Sequence, residues 1–444
     1  MSLKVVELND RAITVSDEGG VILQSPGFAL VDGDVVHVGE TAEQQARLNP
    51  TQSYNKYWQE LNLEPISHGN NFRHYADIAY AHLLNLAETA GLDGDVVFAV
   101  PGNFNRQQLG ILLGLCQQCP FDVVGVVDSA LASASQQTSA QPIIVADIQL
   151  HQAVLTPVTS NGDSLEVGTA IQIPGVGSQN FMDLMMRMAT DMFIQQCRFN
   201  PQHNAVSEQQ LYNALPDWLS EVDDGNLILE LKAGETLHTA KMPRDSLIAS
   251  LSGHFKKINE QISALAGENA CLLVMTEALA AIPGFQSSAT FSSAIIKSND
   301  VHDAVLHHRH LITESPEAIQ LVRKLPLSEE TKDAVLNGNT SSLAPTHALL
   351  GNRAFPVSGA RVSNQPGLNG SAANSSEMVL SIEGLPETLG TMELQQDRVL
   401  FNSGELEFSL NDHSVSGKQE LSLGDEIRFE GSQQTITLIQ VENS

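Results

Sequence analysis

The chain has 444 residues, of which 52 are Asp or Glu and 23 are Lys or Arg, giving a formal charge of −29. So acidic a surface repels phosphate backbones and anionic lipid headgroups, which argues against nucleic-acid binding and favours protein partners with basic segments. No run approaches the ~20 apolar residues of a membrane span, so no membrane insertion is expected. The four cysteines, Cys116, Cys119, Cys197 and Cys271, are too few for a disulfide scaffold in a chain this long.

The first ten residues, MSLKVVELND, enter a strand pattern without the apolar core of a signal peptide, and the expected location is cytoplasmic. Residues 3–7 and 11–16 form a hairpin turned at Asn-Asp, and GVILQSPGFALV adds a strand that bends at its Pro-Gly. TAEQQARLN reads as a short helix and 72–91 as a longer amphipathic one. The apolar run Val96–Val100 stops abruptly in PGNFN ahead of a helix at 105–118, and in open α/β sheets ligands sit beyond such strand ends. Strand 122–127, helix 128–137, strand Ile143–Ala146 and the hairpin DIQLHQAVLTPV follow. A second lobe repeats the logic. It has a strand and Gly-containing turn into a helix at IPGVGSQNFMDLMMRM, paired strands NLILELKAG and TLHTAKMPR, the long helix RDSLIASLSGHFKKINEQISAL, the buried strand ACLLVM with the turn TEALAAIPGF, and a last helix NDVHDAVLHHRHLI.

Residues 1–312 therefore read as a two-lobed α/β domain with an interlobe cleft. Residues 313–356 form a helical extension with helices at SPEAIQLVRKL and SEETKDAVLNG. VSNQPGLNGSAANSSE, poor in apolar residues, marks a flexible linker over 357–377. From 378 to 444 short alternating strands punctuated by Gly, Asn and Asp make a small β-sandwich-like module.

Four stretches, VGETAEQQARLNP, VVFAVPGNFNRQQLGILLGLCQQCPFDVVGVVDSALASA, LHTAKMPRDSLIASLSGHFKKINEQISAL and CLLVMTEALAAIPGF, resemble the ATPase domain of the heat shock protein 70 chaperones over about two-thirds of the chain. The resemblance implies an actin-like ATPase fold, followed here by a linker and a small all-β domain. It also implies where a nucleotide would sit, and there the sequence departs. The first phosphate hairpin keeps Glu7, Asn9 and Asp10 but no glycine. The second keeps Asp147, while Gln149, Leu150 and His151 stand where glycines would cradle phosphate. Thr276 and Glu277 occupy the place of the paired glycines of the adenosine turn, Ser129 that of a helix-start carboxylate, and Gln209, Tyr212, Asn213 and Pro216 that of the adenine clamp. Gly175 and Gly177 keep a glycine turn before a helix N-terminus.

The leading expectation is a degenerate chaperone-like scaffold or adaptor for protein–protein interaction, without catalysis and without cofactor. The alternative is an ATP-binding chaperone with an unusual cleft, in which Asp147 and Asp10 would hold magnesium. Two further constellations read as structural: Cys116 with Cys119 near a helix end, and Asp303, His307 and His310 on one helical face at a spacing compatible with a metal. The late LNDHSVSGKQELSLGDEIRF resembles the end of a forkhead-associated β-sandwich, without the arginine and serine used there for phosphothreonine.

Overall fold

A computed structural model describes residues 3–33, 35–66, 72–139, 141–161, 163–220, 225–267, 270–313, 319–327, 345–350, 353–365, 377–395, 398–404, 406–411, 413–421, 424–432 and 434–439. The chain divides into two compact units, Met1–Gly338 and Asn339–Ser444.

The first unit is mixed α/β and carries two large sheets of the same plan. In one, the antiparallel strands Lys4–Glu7, Ile13–Asp17 and Gly20–Ser25 are extended on the Lys4–Glu7 side by parallel strands Asp95–Val100 and Asp122–Asp128. In the other, Ile143–Ile148, Gln152–Asn161 and Ser164–Val167 form the antiparallel part, and Leu272–Thr276 and Ser292–Ile296 the parallel extension. Central strands covered on both faces must be apolar at every position. Their alternation then divides the residues between cores. Val97 and Ala99 join Ile143 and Val145 in a core shared by the two sheets. Val96, Phe98 and Val100 face the helices Tyr75–Ala90 and Arg106–Cys116 instead. Ile144, Ala146 and Ile148 face Ser178–Cys197 and Arg244–Ala266. Among the described residues no helix is long and apolar enough to cross a membrane.

Several expected helices differ. TAEQQARLN is helical only over Glu40–Glu43, entered at Gly39 with φ +71°, and NDVHDAVLHHRHLI breaks at His308 into Asp300–His307 and Arg309–Ile312. The segment expected as the helix SPEAIQLVRKL contains two short strands. Leu321–Val322 adds to the edge of the first sheet beside Asp122–Asp128, and Lys324–Pro326 adds to the second beside Ser164–Val167. Two open sheet edges outcompete a short helix here, because each offers unpaired N–H and C=O groups. One stretch of chain thus ties both sheets. SEETKDAVLNG lies outside the described residues.

The second unit is a β-sandwich that starts earlier than expected. Among the described residues one sheet has six strands and the other five, closed on a core that includes Phe401, Phe408 and Phe429. His347–Leu350 pairs with the last strand, Ile436–Ile439, and Arg361–Asn364 lies between Glu377–Leu380 and Thr388–Gln395. The expected boundary at 378 and the helical end of the 313–356 extension are corrected accordingly. Within the expected linker, residues 361–364 are a sheet strand, whereas 366–376 lie outside the described residues. Asn364 is buried and locks the corner: its amide donates to the Ile382 and Leu385 carbonyls and accepts from the Ile382 N–H.

A buried polar knot fixes the first lobe. His82 Nδ1 accepts from Tyr57 OH at 2.7 Å and Trp58 Nε1 at 3.2 Å, so Nε2 carries the proton toward Ser25 Oγ at 2.8 Å. Burial pushes the His82 imidazole down to about 3, which keeps it neutral in this role. Gly39 is required beside it, since a Cβ there would lie 2.4 Å from Ser25 Oγ. His82→Ala leaves three buried groups without their partner and opens a void. We expect it to cost about 3 kcal/mol in urea unfolding followed by tryptophan fluorescence.

Candidate functional site

The hairpin turns of the two sheets meet, Asn9 Nδ2 donating to Asp147 Oδ2 and to the Ile148 carbonyl. The strand Asp95–Val100 ends at Pro101, which has no N–H to continue a ladder. Asn103 and Gln149 then exchange side-chain amide hydrogen bonds at 3.0 and 3.1 Å, and Gln152 Nε2 donates to the same Gln149 oxygen at 2.7 Å. Asn105 caps the following helix by accepting from the Gln108 N–H at 2.9 Å. PGNFN is therefore a joint to the second lobe's hairpin.

The residues of that hairpin close on themselves. Asp10 Oδ1 accepts from the Leu150 N–H at 2.8 Å. The carbonyls of Gln149 and Leu150 accept from the Ser178 and Gln179 N–H groups at 2.8 and 2.9 Å. Those two amides open the helix Ser178–Cys197 and are the free donors that would greet an anion. Gly175 and Gly177 serve this packing. Gly175 turns at φ +74°, and a Cβ on Gly177 would lie 2.3 Å from the Gln152 nitrogen. Of the pair expected to line a phosphate loop, Gly177 is pressed against the His151 and Gln152 backbone, while Gly175 has open space on its Cβ side. Asp147 accepts from its neighbour Ile148 N–H at 2.8 Å and from Asn9 Nδ2 at 2.9 Å. Asp10 and Asp147, expected to share magnesium, are thus each committed to amide donors. Among the described residues no group of three His, Cys, Asp or Glu side chains is placed to hold a metal.

The positions read as a lost adenine clamp have a different occupation. Gln209 Oε1 accepts from the Arg47 N–H at 2.7 Å, and its Nε2 donates to the Glu43 carbonyl at 3.2 Å and to Asn213 Oδ1 at 2.8 Å. Tyr212 OH donates to Glu43 Oε1 at 2.7 Å and accepts from Gln179 Nε2 at the same distance. The Arg47 guanidinium lies 5.2 Å from the Tyr212 ring centre and pairs with Asp183 at 2.5 Å and Glu208 at 3.7 Å. Residues 43–47 of the first lobe are thereby latched to two helices of the second. Burial raises the Glu43 carboxyl, and the Tyr212 hydrogen bond offsets only part of that.

Below the latch a cavity of about 290 Å³ opens between the lobes, with Glu7, Asn9, Asp147 and Glu277 among its lining. Asp10 faces a neighbouring cavity of about 150 Å³ with Trp58, Asn103 and Gln149. Burial, then the charge of Asp147, pushes Glu7 up to about 8. Burial likewise pushes Asp10 to about 7, against the Leu150 N–H, and Asp147 to about 6, against its hydrogen bonds and Arg11. Glu277 accepts from the Ser298 N–H at 3.1 Å. Beside Ser129, Asp128 caps its helix through the Ala130 and Leu131 N–H groups, and burial raises it to about 6.

Sequence reasoning missed Arg11 and Lys297, which also line the larger cavity. Arg11 is adjacent to Asp10 and visible as the lone cation of the first hairpin turn; Lys297 carries no local signal. The other constellations are structural in geometry. Cys116 and Cys119 are thiols raised by burial, the latter to about 11, so neither is a ready thiolate. His307 stacks edge-on against His308, where the helix breaks. No family model matches the chain, and it matches no curated protein.

Two expectations follow. An acid whose folded value is raised holds more protons folded than unfolded, so its ionisation destabilises the fold between roughly pH 4.5 and 8. The stability gain of Glu7→Gln over wild type is therefore expected to be near zero at pH 5 and to reach about 1–3 kcal/mol by pH 8, read by chemical unfolding at each pH. Opening the latch with Arg47→Ala and Tyr212→Phe together is expected to cost about 2 kcal/mol. Hydrogen exchange should accelerate in 40–47 and 205–213 together; acceleration in one segment alone would refute the latch.

Proposed function

We propose that the first unit is a degenerate member of the heat shock protein 70 and actin-like fold, serving in the cytoplasm as a non-catalytic scaffold or adaptor for a protein partner. The fold reading is supported by two sheets that share the order and direction of five core strands and are joined by helices. One observation carries the functional reading: the groups that would grip a nucleotide are taken up by the protein itself. Gln209 and Tyr212 hold Glu43 and Arg47, and the Ser178 and Gln179 amides hold the hairpin carbonyls. Such lobes keep one arrangement without a ligand, which suits a docking surface better than an ATP-driven cycle. The four unpaired cysteines support a reducing compartment. The β-sandwich serves as an interaction module without phosphate dependence.

The second reading, an ATP-binding chaperone, is favoured by the interlobe cavity with Arg11 and Lys297 in its wall, cations able to face phosphate oxygens. Isothermal titration with magnesium ATP separates the two. We expect no saturable heat up to millimolar nucleotide for wild type or Asp147→Ala. Micromolar binding lost in Asp147→Ala would establish the second reading in place of the first.

A further inference from the structure

The cavity of about 290 Å³ joins groups from both lobes, and its charges do not balance. Its lining holds three carboxylates, Glu7, Asp147 and Glu277, against two cations, Arg11 and Lys297, leaving it one positive charge short when all are ionised. The three acids differ in what satisfies them. Asp147 accepts from Asn9 and from the Ile148 N–H, with Arg11 as its nearest cation. Glu277 is held by the Ser298 N–H and hydroxyl. Glu7 receives no hydrogen bond and no ion pair from any described residue, and the charge it feels most is that of Asp147, which repels it. The buried Thr276 hydroxyl lies in the same wall beside Asp147 and adds to what satisfies that carboxylate. Ala278, Ala281, Ile296 and Val301 supply an apolar side.

We propose that this cavity binds an ammonium or guanidinium group, with Glu7 as its counter-ion. The volume lies at the lower end of ligand pockets, enough for a charged head and a short aliphatic stem laid along the apolar side. Such a head belongs either to a small organic amine or to a Lys or Arg side chain of a bound protein segment. Arg11 does not fill this role, because it is shared among Asp147, Glu43 and Tyr212. Asp10 also does not compete, being held by Leu150. Binding a cation favours ionised Glu7, which stands near 8 when the cavity is empty. Binding therefore releases a proton below that pH and tightens as pH rises, by at most roughly tenfold per unit.

The test is calorimetric titration of the full chain with 1,4-diaminobutane and, separately, with a short Lys-Gly repeat peptide, at pH 6 and 8.5. Binding of either probe that strengthens at least about tenfold across that range, and is lost in Glu7→Gln, is the expected result. Thermal melting shows that the variant is folded. Diaminobutane alone binding assigns the site to a small amine; the peptide alone binding assigns it to a partner's basic side chain. Affinity unchanged in Glu7→Gln marks diffuse attraction to an acidic surface and overturns the proposal, as does absence of binding by both probes. Magnesium ATP titration decides the scaffold reading separately, so the two fail independently.

Discussion

Closing two lobes over a cleft buries backbone N–H groups, and each must find an acceptor or cost a few kcal/mol. In this chain the acceptors come from the protein itself. Leu150 N–H is given to Asp10, and the first amides of the Ser178–Cys197 helix are given to the carbonyls of Gln149 and Leu150. That arrangement dictates the sequence around it. Gly177 has to be glycine because the hairpin backbone comes within 2.3 Å of where its Cβ would stand. Gln149 has to carry an amide because Asn103 and Gln152 both point at it. The Asp10–Leu150 and Asn103–Gln149 bonds join the halves built on the two sheets, while the Ser178 and Gln179 bonds seat a helix on the hairpin of its own half.

The latch extends the same logic to side chains. Glu43 sits mostly shielded from water, where an unpaired carboxylate would be costly, and Tyr212 OH and the nearby Arg11 charge compensate it. The Arg47–Asp183 pair is more open to solvent and contributes less to stability. Its value lies in geometry, since the Arg47 backbone and guanidinium together reach Gln209, Asp183 and Glu208 on two helices.

Much of the architecture was legible because central strands and amphipathic helices write their burial into periodicity. Val96–Val100 reads as a buried strand from five consecutive apolar residues, and Asn105 with Gln108 reads as a helix start from spacing alone. The strands at Leu321–Val322 and Lys324–Pro326 were not legible, being two or three residues long and existing only because sheet edges elsewhere wait for them. The start of the sandwich was hidden for a related reason: His347–Leu350 is stabilised by Ile436–Ile439 at the far end of the module. Glu7, Asn9, Asp10 and Asp147 stand out only through the family resemblance of their hairpins, whereas the partnership of Glu43 and Arg47 with Gln209 and Tyr212 spans over 160 residues and leaves no local trace. Gly175 and Gly177 show the converse ambiguity: a glycine turn before a helix is equally what phosphate binding and tight packing require.

The acidic pair at the cleft floor has a different standing from the rest of the chain's negative charge. Most of the excess that gives −29 lies where water can screen it, and it makes the surface repel anions without shaping any one site. Glu7 and Asp147 come from strands of two different sheets, Lys4–Glu7 and Ile143–Ile148, so their repulsion acts directly against lobe closure. The latch and the backbone bonds of the hairpins overcome it. Burial is the main reason their carboxyls stand raised, to about 8 for Glu7, where the Asp147 charge adds to it, and to about 6 for Asp147. A fold that retains such a cost in its centre, with Asp147 satisfied and Glu7 left without a partner, stores a preference for positive charge at one point between its lobes. That preference is a local property of geometry, and it is separable from the acidity of the surface.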